Sequence, residues 1–349
     1  MILAFLVAGT VAAVVTALTL AVAVPQLNKH GIIDVPSDRS SHAAPITRGG
    51  GIAPVIGVVT GIIAGWLTLS TAMSLMQTAA ALMIAVSTIV FVLVFAGFGF
   101  AEDVLGLHVG SRLALQLVVS AFFAVELIVW SGHSWAWLPI IAVSNVVGVN
   151  FTNFMDGING ITSLFAAVAG AWFLIVEIHG GEPTLACISL VLLVAALVFL
   201  PSNAPRAKVF MGDVGSYGIG AAVCAVVCWL IFTGVSLPVA LAPVVLYLSD
   251  AGFTLVRRSI GRENLADAHR THVYQRLTDL GYPHIAVTLM TVGVSMALCT
   301  LSTAFLFNAP VILRLLAIVT GAIIVVAYLA SPRWLRPVGR RHRQIGVRA

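Results

Sequence analysis

Charge is what this chain has least of: Asp, Glu, Lys and Arg make up 9% of its 349 residues, against roughly a quarter in soluble globular domains. With a mean hydropathy of +1.07, that scarcity excludes an ordinary soluble domain. Cysteine is scarce too. Cys187, Cys224, Cys228 and Cys299 all fall in apolar runs and form no CxxC pair, which argues against a disulfide framework or a thiolate metal site and leaves them as packing residues. Low-complexity tracts and short repeats are missing. No positive charge precedes the first apolar run, which is long enough to span, so residues 1–24 are expected as an uncleaved first helix and not as a signal peptide.

Long apolar runs are what the chain has in quantity. Crossing the hydrocarbon takes about 20 apolar residues, and eleven runs qualify: 3–24, 50–71, 79–100, 113–131, 136–151, 161–178, 184–201, 214–233, 236–255, 285–306 and 311–330. The expected fold is therefore an all-α polytopic membrane protein of about 11 transmembrane helices, with residues 1–330 forming one integral membrane domain and 331–349 a basic tail. Glycines and alanines scattered through the runs serve close helix packing.

Assigning the breaks alternately to two sides places 17 of the 18 basic residues on one side, with Arg314 alone opposite. The positive-inside rule makes the basic side cytoplasmic, with the N-terminus outside and the C-terminus inside. The tail RPVGRRHRQIGVR reads as an electrostatic anchor to anionic headgroups. Ten of the 13 acidic residues follow the same partition, leaving Glu126, Glu177 and Glu182 on or near the other side. The cytoplasmic breaks also collect the Gly, Asn and His clusters, whereas outer breaks such as GHSW and GGEP are short and bland.

Five cytoplasmic segments carry chemistry-capable residues. In DVPSDRSSHAAPITRGGGIAP, Gly49, Gly50 and Gly51 either bring backbone amides to an anion beside Arg48 or make a turn with a packing face. In GFAEDVLGLHVGSR, Glu102 and Asp103 are adjacent; such a pair is either solvated or, in an apolar site, raises one pKa or recruits a hard cation such as Mg²⁺. The stretch NFTNFMDGING places Asn150, Asn153, Asp156 and Asn159 three residues apart, with Gly157 and Gly160 loosening the backbone. That pattern lines a cavity with amide and carboxylate groups, and helix capping accounts for one of the four at best. In SNAPRAKVFMGDVGSYGIG, Asp213 is either a helix cap or a metal ligand near Arg206 and Lys208. In RRSIGRENLADAHRTHVYQRL, His269 and His272 share a helical face beside Arg270, in a loop otherwise readable as solvated and basic. Carboxylates, cations, glycine turns and amides at a membrane face point to phosphate chemistry on a substrate with a lipid tail.

These motifs resemble the polyprenyl-phosphate N-acetylhexosamine-1-phosphate transferases, the superfamily that includes the phospho-N-acetylmuramoyl-pentapeptide translocase and the enzymes initiating O-antigen and teichoic acid linkage units. The likeness runs in order from about residue 30 to 280 and is carried by NxxNFMDGINGI and AKVFMGDVGS. The resemblance implies a bacterial inner-membrane enzyme with a cytoplasmic site. It would transfer a HexNAc-1-phosphate, or a deoxy form, from a UDP-sugar to undecaprenyl phosphate, release UMP and start surface polysaccharide synthesis. Mg²⁺ is implied as cofactor, with Mn²⁺ as substitute; membrane lipids are implied as surroundings, nucleic acid is not a partner, and a homodimer is admitted.

By position, Glu102 and Asp103 match the family's paired aspartates and Asp213 its Mg²⁺-ligating Asp, with Asp103 a second metal candidate. Asn153, Asp156, Gly157 and Asn159 match the NxxDGxD nucleoside segment, Asn203 the Asn ahead of FMGD, and Arg112 and Gln116 a basic residue and a Gln after the acidic pair. Of the HxHH segment only His272 survives, since Tyr274 and Gln275 stand where histidines are expected; Glu102 replaces an Asp, and Asn159 stands where many members have an Asp. The chemistry is thus expected of Glu102, Asp103, Asp213 and His272. Substrate contacts are expected of Arg48, Arg112, Asn153, Asp156, Gly157, Asn159, Asn203, Lys208, His269 and Arg270. A secondary transporter, the alternative from another class, predicts midplane ionisable groups and an internal repeat, and the sequence has little of the first and none of the second. A catalytically silent scaffold is disfavoured by the retention of Asp156 and Asp213.

Overall fold

The computed structural model describes residues 1–35, 45–106, 108–264 and 269–338. Arg39 and the expected basic tail from residue 339 onward, with Arg340, Arg341, Arg343 and Arg348, lie outside the described residues. In chain order the elements are α1 (Ile2–Lys29), β1 (Ile33–Asp34), β2 (Ile46–Thr47), α2 (Ile52–Ser70), α3 (Leu75–Leu105), α4 (Val109–Ser131), α5 (Trp137–Met155), α6 (Ile161–Ile178), α7 (Pro183–Asn203), α8 (Gly212–Phe232), α9 (Leu237–Ala240), α10 (Val245–Ile260), α11 (Val273–Asp279), α12 (His284–Leu306) and α13 (Val311–Trp334). Ten of the helices are long and apolar enough to cross a membrane, so the chain is an all-α polytopic membrane protein.

Of the eleven expected spans, 236–255 is the one that is not a single long helix. It is split into α9 and α10 by residues 241–244. Pro243 has no N–H to donate to the carbonyl of Val239, one helical turn back, and its ring crowds that carbonyl. The freed Val239 oxygen accepts instead from Trp172 Nε1 on α6 at 2.8 Å. The break is therefore compensated inside the bundle, as irregular backbone at membrane depth requires.

Helix α3 runs further than its apolar pattern, to Leu105. At 1.5 Å per residue it is about 46 Å long, well over the ~30 Å hydrocarbon core, so its last turns carry Glu102 and Asp103 to the membrane face. A Ser74–Gln77 capping box starts it, and Gly106, at φ 64, ends it by donating to the Glu102 carbonyl.

Helix α8 is the axis of the bundle: 89% of its apolar window is buried, against 22% for α1 and 17% for α13, which face lipid. Its close neighbours depend on glycine. A Cβ at Gly99 of α3 would collide with the Asp213 carbonyl, and one at Gly51 would strike the Gly215 Cα. Both contacts are backbone against side chain, so neither can relax by rotating a rotamer. They bring the start of α8 against both α3 and the entry of α2, where the candidate site forms.

Candidate active site

Arg48 follows β2, which pairs with β1 in the register Ile33–Thr47 and Asp34–Ile46. The Thr47 carbonyl also accepts from Phe210 N at 2.9 Å, and the amides of Gly50 and Gly51 donate to the Phe210 and Met211 carbonyls at 2.9 and 2.8 Å. Those amides are consumed by backbone pairing and are not turned toward an anion, so the packing reading of the glycine triplet holds for Gly50 and Gly51. The pairing delivers Arg48 to the first turn of α8.

There the Arg48 guanidinium lies between two carboxylates, with Nε 2.7 Å from Asp103 Oδ1 and an Nη 3.0 Å from Asp213 Oδ1. The second Asp103 oxygen accepts from Val214 N at 3.1 Å, so Asp103 also caps the N-terminus of α8. Asn153 Nδ2, from the last turn of α5, reaches Asp213 Oδ1 at 3.0 Å and Ser216 Oγ at 2.9 Å. Burial alone would lower the Arg48 pKa; Asp213 and Asp103 overcome it and hold the guanidinium above its ordinary value. Asp103 is 1% exposed and Asp213 19%, which makes Asp213 the carboxylate that meets solvent or substrate.

Asp156 is the C-cap of α5. Burial pushes its carboxyl up to about 8; the Asp213 and Asp103 charges reinforce the rise, and the Arg48 charge opposes it. Asp156 is thus near enough to Arg48, Asp103 and Asp213 to feel their charges. Gly157 beside it leaves room for Tyr274, whose hydroxyl donates to the Phe154 carbonyl at 2.9 Å and would collide with any Cβ at 157. Asn159 Nδ2 donates to the Pro205 carbonyl at 3.1 Å. Asn203 is occupied entirely within the fold: its Oδ1 accepts from Gly160 N at 2.9 Å and Ser163 Oγ at 3.3 Å, and its Nδ2 donates to Val209 O at 3.1 Å. It ties the Asp156 loop to the segment leading into α8.

Glu102 and Asp103 diverge. Glu102 pairs with Arg112 at 3.0 Å, beneath the Arg48 layer, where Arg112 also lies 6.0 Å from the Tyr217 ring centroid. Gln116 Oε1, one turn along α4, accepts from Asn150 Nδ2 at 2.7 Å. Gln116 Nε2, Asn150 Oδ1 and the Tyr217 hydroxyl are buried without a partner among the described residues. Two polar layers thus meet at the α3–α4–α5–α8 junction.

The basic loop contributes unevenly. His272 is buried at the N-cap of α11, its ring 4.9 Å from His269, 6.2 Å from Phe154 and 5.8 Å from Tyr274. Burial and the neighbouring His272 push His269 down to about 4, so its imidazole is neutral at physiological pH. Arg270 bonds Thr278 Oγ1 at 3.4 Å and Asp279 at 3.3 Å, on α11 itself. Lys208 is exposed, its backbone N–H held by the Ser202 carbonyl at 2.8 Å. Ser216, which the sequence sets between glycines beside Asp213 without a role, is contacted by Asn153. Reading the sequence missed Asp250, a fully buried carboxylate inside an apolar run; a lone acid in such a run is itself a functional signal.

No cluster of three or more His, Cys, Asp or Glu suited to a metal is found among the described residues. A hard ion such as Mg²⁺ takes one or two protein carboxylates and completes its shell with water and substrate phosphate. Asp213 suits this role, with one oxygen engaged by Arg48 and Asn153 and the other without a hydrogen bond among the described residues. Asp103 has both oxygens committed, to Arg48 and to Val214 N.

Residues 84–231 match the family model described as Glycosyl transferase family 4. The matched stretch runs from within α3 to the end of α8 and holds Glu102, Asp103, Arg112, Asn153, Asp156, Asn203 and Asp213. Over 347 residues the chain is 24% identical to the probable undecaprenyl-phosphate N-acetylglucosaminyl 1-phosphate transferase of Bacillus subtilis (strain 168), covering 90% of this chain and 92% of that protein. Over residues 84–231 the chain is similar to glycosyl transferase family 4. The chain is also 27% identical over 302 residues to the decaprenyl-phosphate N-acetylglucosaminephosphotransferase of Mycobacterium tuberculosis (strain H37Rv), covering 74% of it and 72% of the relative. It is 37% identical over 92 residues to the phospho-N-acetylmuramoyl-pentapeptide-transferase of Bacillus cytotoxicus, 26% and 28% of the two chains. Arg48, Asp250, His269, Arg270 and His272 lie outside the stretch matched by the family 4 model, and the fold brings Arg48 to its centre.

Proposed function

We propose that this protein transfers an N-acetylhexosamine 1-phosphate, or its deoxy form, from a UDP-sugar to undecaprenyl phosphate and releases UMP, the first lipid-linked step of a surface polysaccharide. The observation that carries the reading is Arg48 joining Asp103 and Asp213 while Asn153 holds Asp213. A pocket of paired acids, amides and one bridging cation suits phosphoryl transfer, which needs positioning and charge neutralisation more than a strong base. The names of the relatives support a polyprenyl phosphate acceptor and make N-acetylglucosamine the first sugar to test. The partition of basic residues supports a site at the cytoplasmic face of the inner membrane.

Asp213 is the residue to hold Mg²⁺, which when bound neutralises the diphosphate of the donor. Asn153 and the Asp156–Asn159 loop receive the nucleoside. Arg48, Arg112 and Lys208 offer cations to phosphate oxygens, and His272 contacts the diphosphate or the nucleoside. The lipid phosphate, with a second pKa of about 6, is already largely ionised at neutral pH, so Asp103 need not deprotonate it and acts on its position through Arg48, which it holds. One of its oxygens attacks the sugar-bearing phosphorus; a P–O bond forms to the lipid phosphate, the bond to the bridging oxygen breaks, and UMP leaves with that oxygen.

The test is a membrane preparation given undecaprenyl phosphate and a panel of UDP-sugars, with and without EDTA, read for UMP and lipid-linked sugar. Product from one donor, abolished by EDTA and restored by Mg²⁺ or Mn²⁺, is the expected result. Failure of every donor to release UMP sinks the reading.

A further inference from the structure

Asp250 sits in the first half of α10, fully buried, and so carries a carboxylate into the interior of a membrane protein. Such a group is retained where its partners and its role outweigh its desolvation. Its partners come from three elements. On α11, Val273 N donates to Oδ1 at 2.9 Å and Tyr274 N to Oδ2 at 3.3 Å. From α13 the Tyr328 hydroxyl donates to Oδ2 at 2.9 Å, and on α10 itself Thr254 Oγ1 lies 3.5 Å from Oδ1. The His272 Nδ1 stands 3.5 Å from Oδ1.

Helix α11 is seven residues long, too short to hold itself in water or at an interface. Its first two amides end on Asp250, so its place is set by α10 and α13. What α11 carries matters for the site: His272 at its N-cap, and Tyr274, whose hydroxyl donates to the Phe154 carbonyl and fills the space beside Gly157. The loop it braces contains Asp156.

We infer that Asp250 is a positioning residue of the transfer reaction: it pins the start of α11, and through α11 it sets both His272 and the Asp156 loop against the Arg48–Asp213 pair. The role rests on the proposed function for its consequence, since among the described residues the contacts of Asp250 lead toward the candidate site through α11 and its N-cap His272. A residue of this kind changes the rate of the bound complex more than the affinity for donor.

The experiment compares wild-type protein with Asp250→Asn and Tyr328→Phe, purified in detergent, by amide hydrogen exchange over residues 269–279 and by steady-state UMP release. Asp250→Asn is expected to lose protection across α11 while α3, α5 and α8 keep theirs. Its kcat, normalised to folded protein, should fall on the order of a hundredfold, with donor KM changed by less than about threefold. Tyr328→Phe keeps the ring packing and removes one hydrogen bond, so it should give a smaller change in the same direction at both readouts, and it decides the matter if Asp250→Asn does not fold. Protection retained over α11 overturns the inference, whatever the activity. Protection lost with the kcat of the folded fraction unchanged overturns it as well, and marks Asp250 as a stabilising residue only. If the wild type releases no UMP with any donor, the proposed function fails and the inferred role in the reaction fails with it, while the exchange data still report whether Asp250 pins α11.

Discussion

Arg48 reaches Asp213 across 165 residues of chain, at 3.0 Å, and the same guanidinium holds Asp103 at 2.7 Å. The guanidinium meets the two carboxylates with two different nitrogens held in a rigid planar fork, a spread that the single nitrogen of a flexible lysine does not reproduce. Arg48→Lys is therefore expected to lower UMP release on the order of a hundredfold. Because the Arg48 side chain is 38% exposed, solvent screening limits the loss of stability to about 1 kcal/mol. A melting curve in detergent beside the rate assay checks both, and a lysine variant with wild-type turnover refutes the bridging role.

Asp103 and Asp213 should separate when each is changed to Asn. Asp213, the more exposed and with an oxygen to spare, is expected to lose activity on the order of a thousandfold and to need more Mg²⁺ for half-maximal rate. Asp103→Asn should cost about tenfold in rate. Its larger effect is on stability, about 2 kcal/mol, because an amide turns a donor toward either Arg48 or Val214 N. Rates and melting temperatures of the two variants at several Mg²⁺ concentrations give the comparison, and the reverse ordering of activities removes Asp213 from the metal site.

The membrane class was legible because hydropathy is summed over long runs, and local errors average out. The break at Pro243 was not, because the apolar run 236–255 continues through it and the compensating Trp172 indole lies on another helix. The convergence of Asp103, Asp156 and Asp213 was readable from motif chemistry. Which oxygen meets which donor was not, since neighbours such as Glu102 and Asp103 point to different arginines. Asp250 carried a signal, an acid in an apolar run, but its partners sit on α11 and α13, far along the chain.

Asp156 makes stability depend on pH in a direction opposite to that of a salt-bridged acid. Burial holds its carboxyl at about 8 in the folded chain, against about 3.9 when unfolded. Between those values the unfolded chain has released the proton and the folded chain retains it. Stability is therefore greatest below about pH 4, falls as pH rises toward 8, and levels beyond. Asp156→Asn, which mimics the protonated form, should flatten that slope and melt higher than the wild type at pH 8 while losing activity. An unchanged slope of melting temperature against pH between 5 and 8 would rule out a buried protonated Asp156.

Gly99 tests whether the site depends on the approach of α3 to α8. The atom a new Cβ would strike is the carbonyl oxygen of Asp213, part of the backbone that places the Asp213 carboxylate. Gly99→Ala should cost about 2 kcal/mol through overpacking, and it should also push the first turn of α8 off Arg48 and Asn153. A displacement of that kind is expected to lower activity about a hundredfold. Gly97, two residues earlier on α3, has open space where a Cβ would go; Gly97→Ala adds the same methyl without the clash and should leave rate and melting temperature near wild type. Equal effects from the two substitutions would mean that helix propensity, and not the contact with Asp213, governs this part of α3.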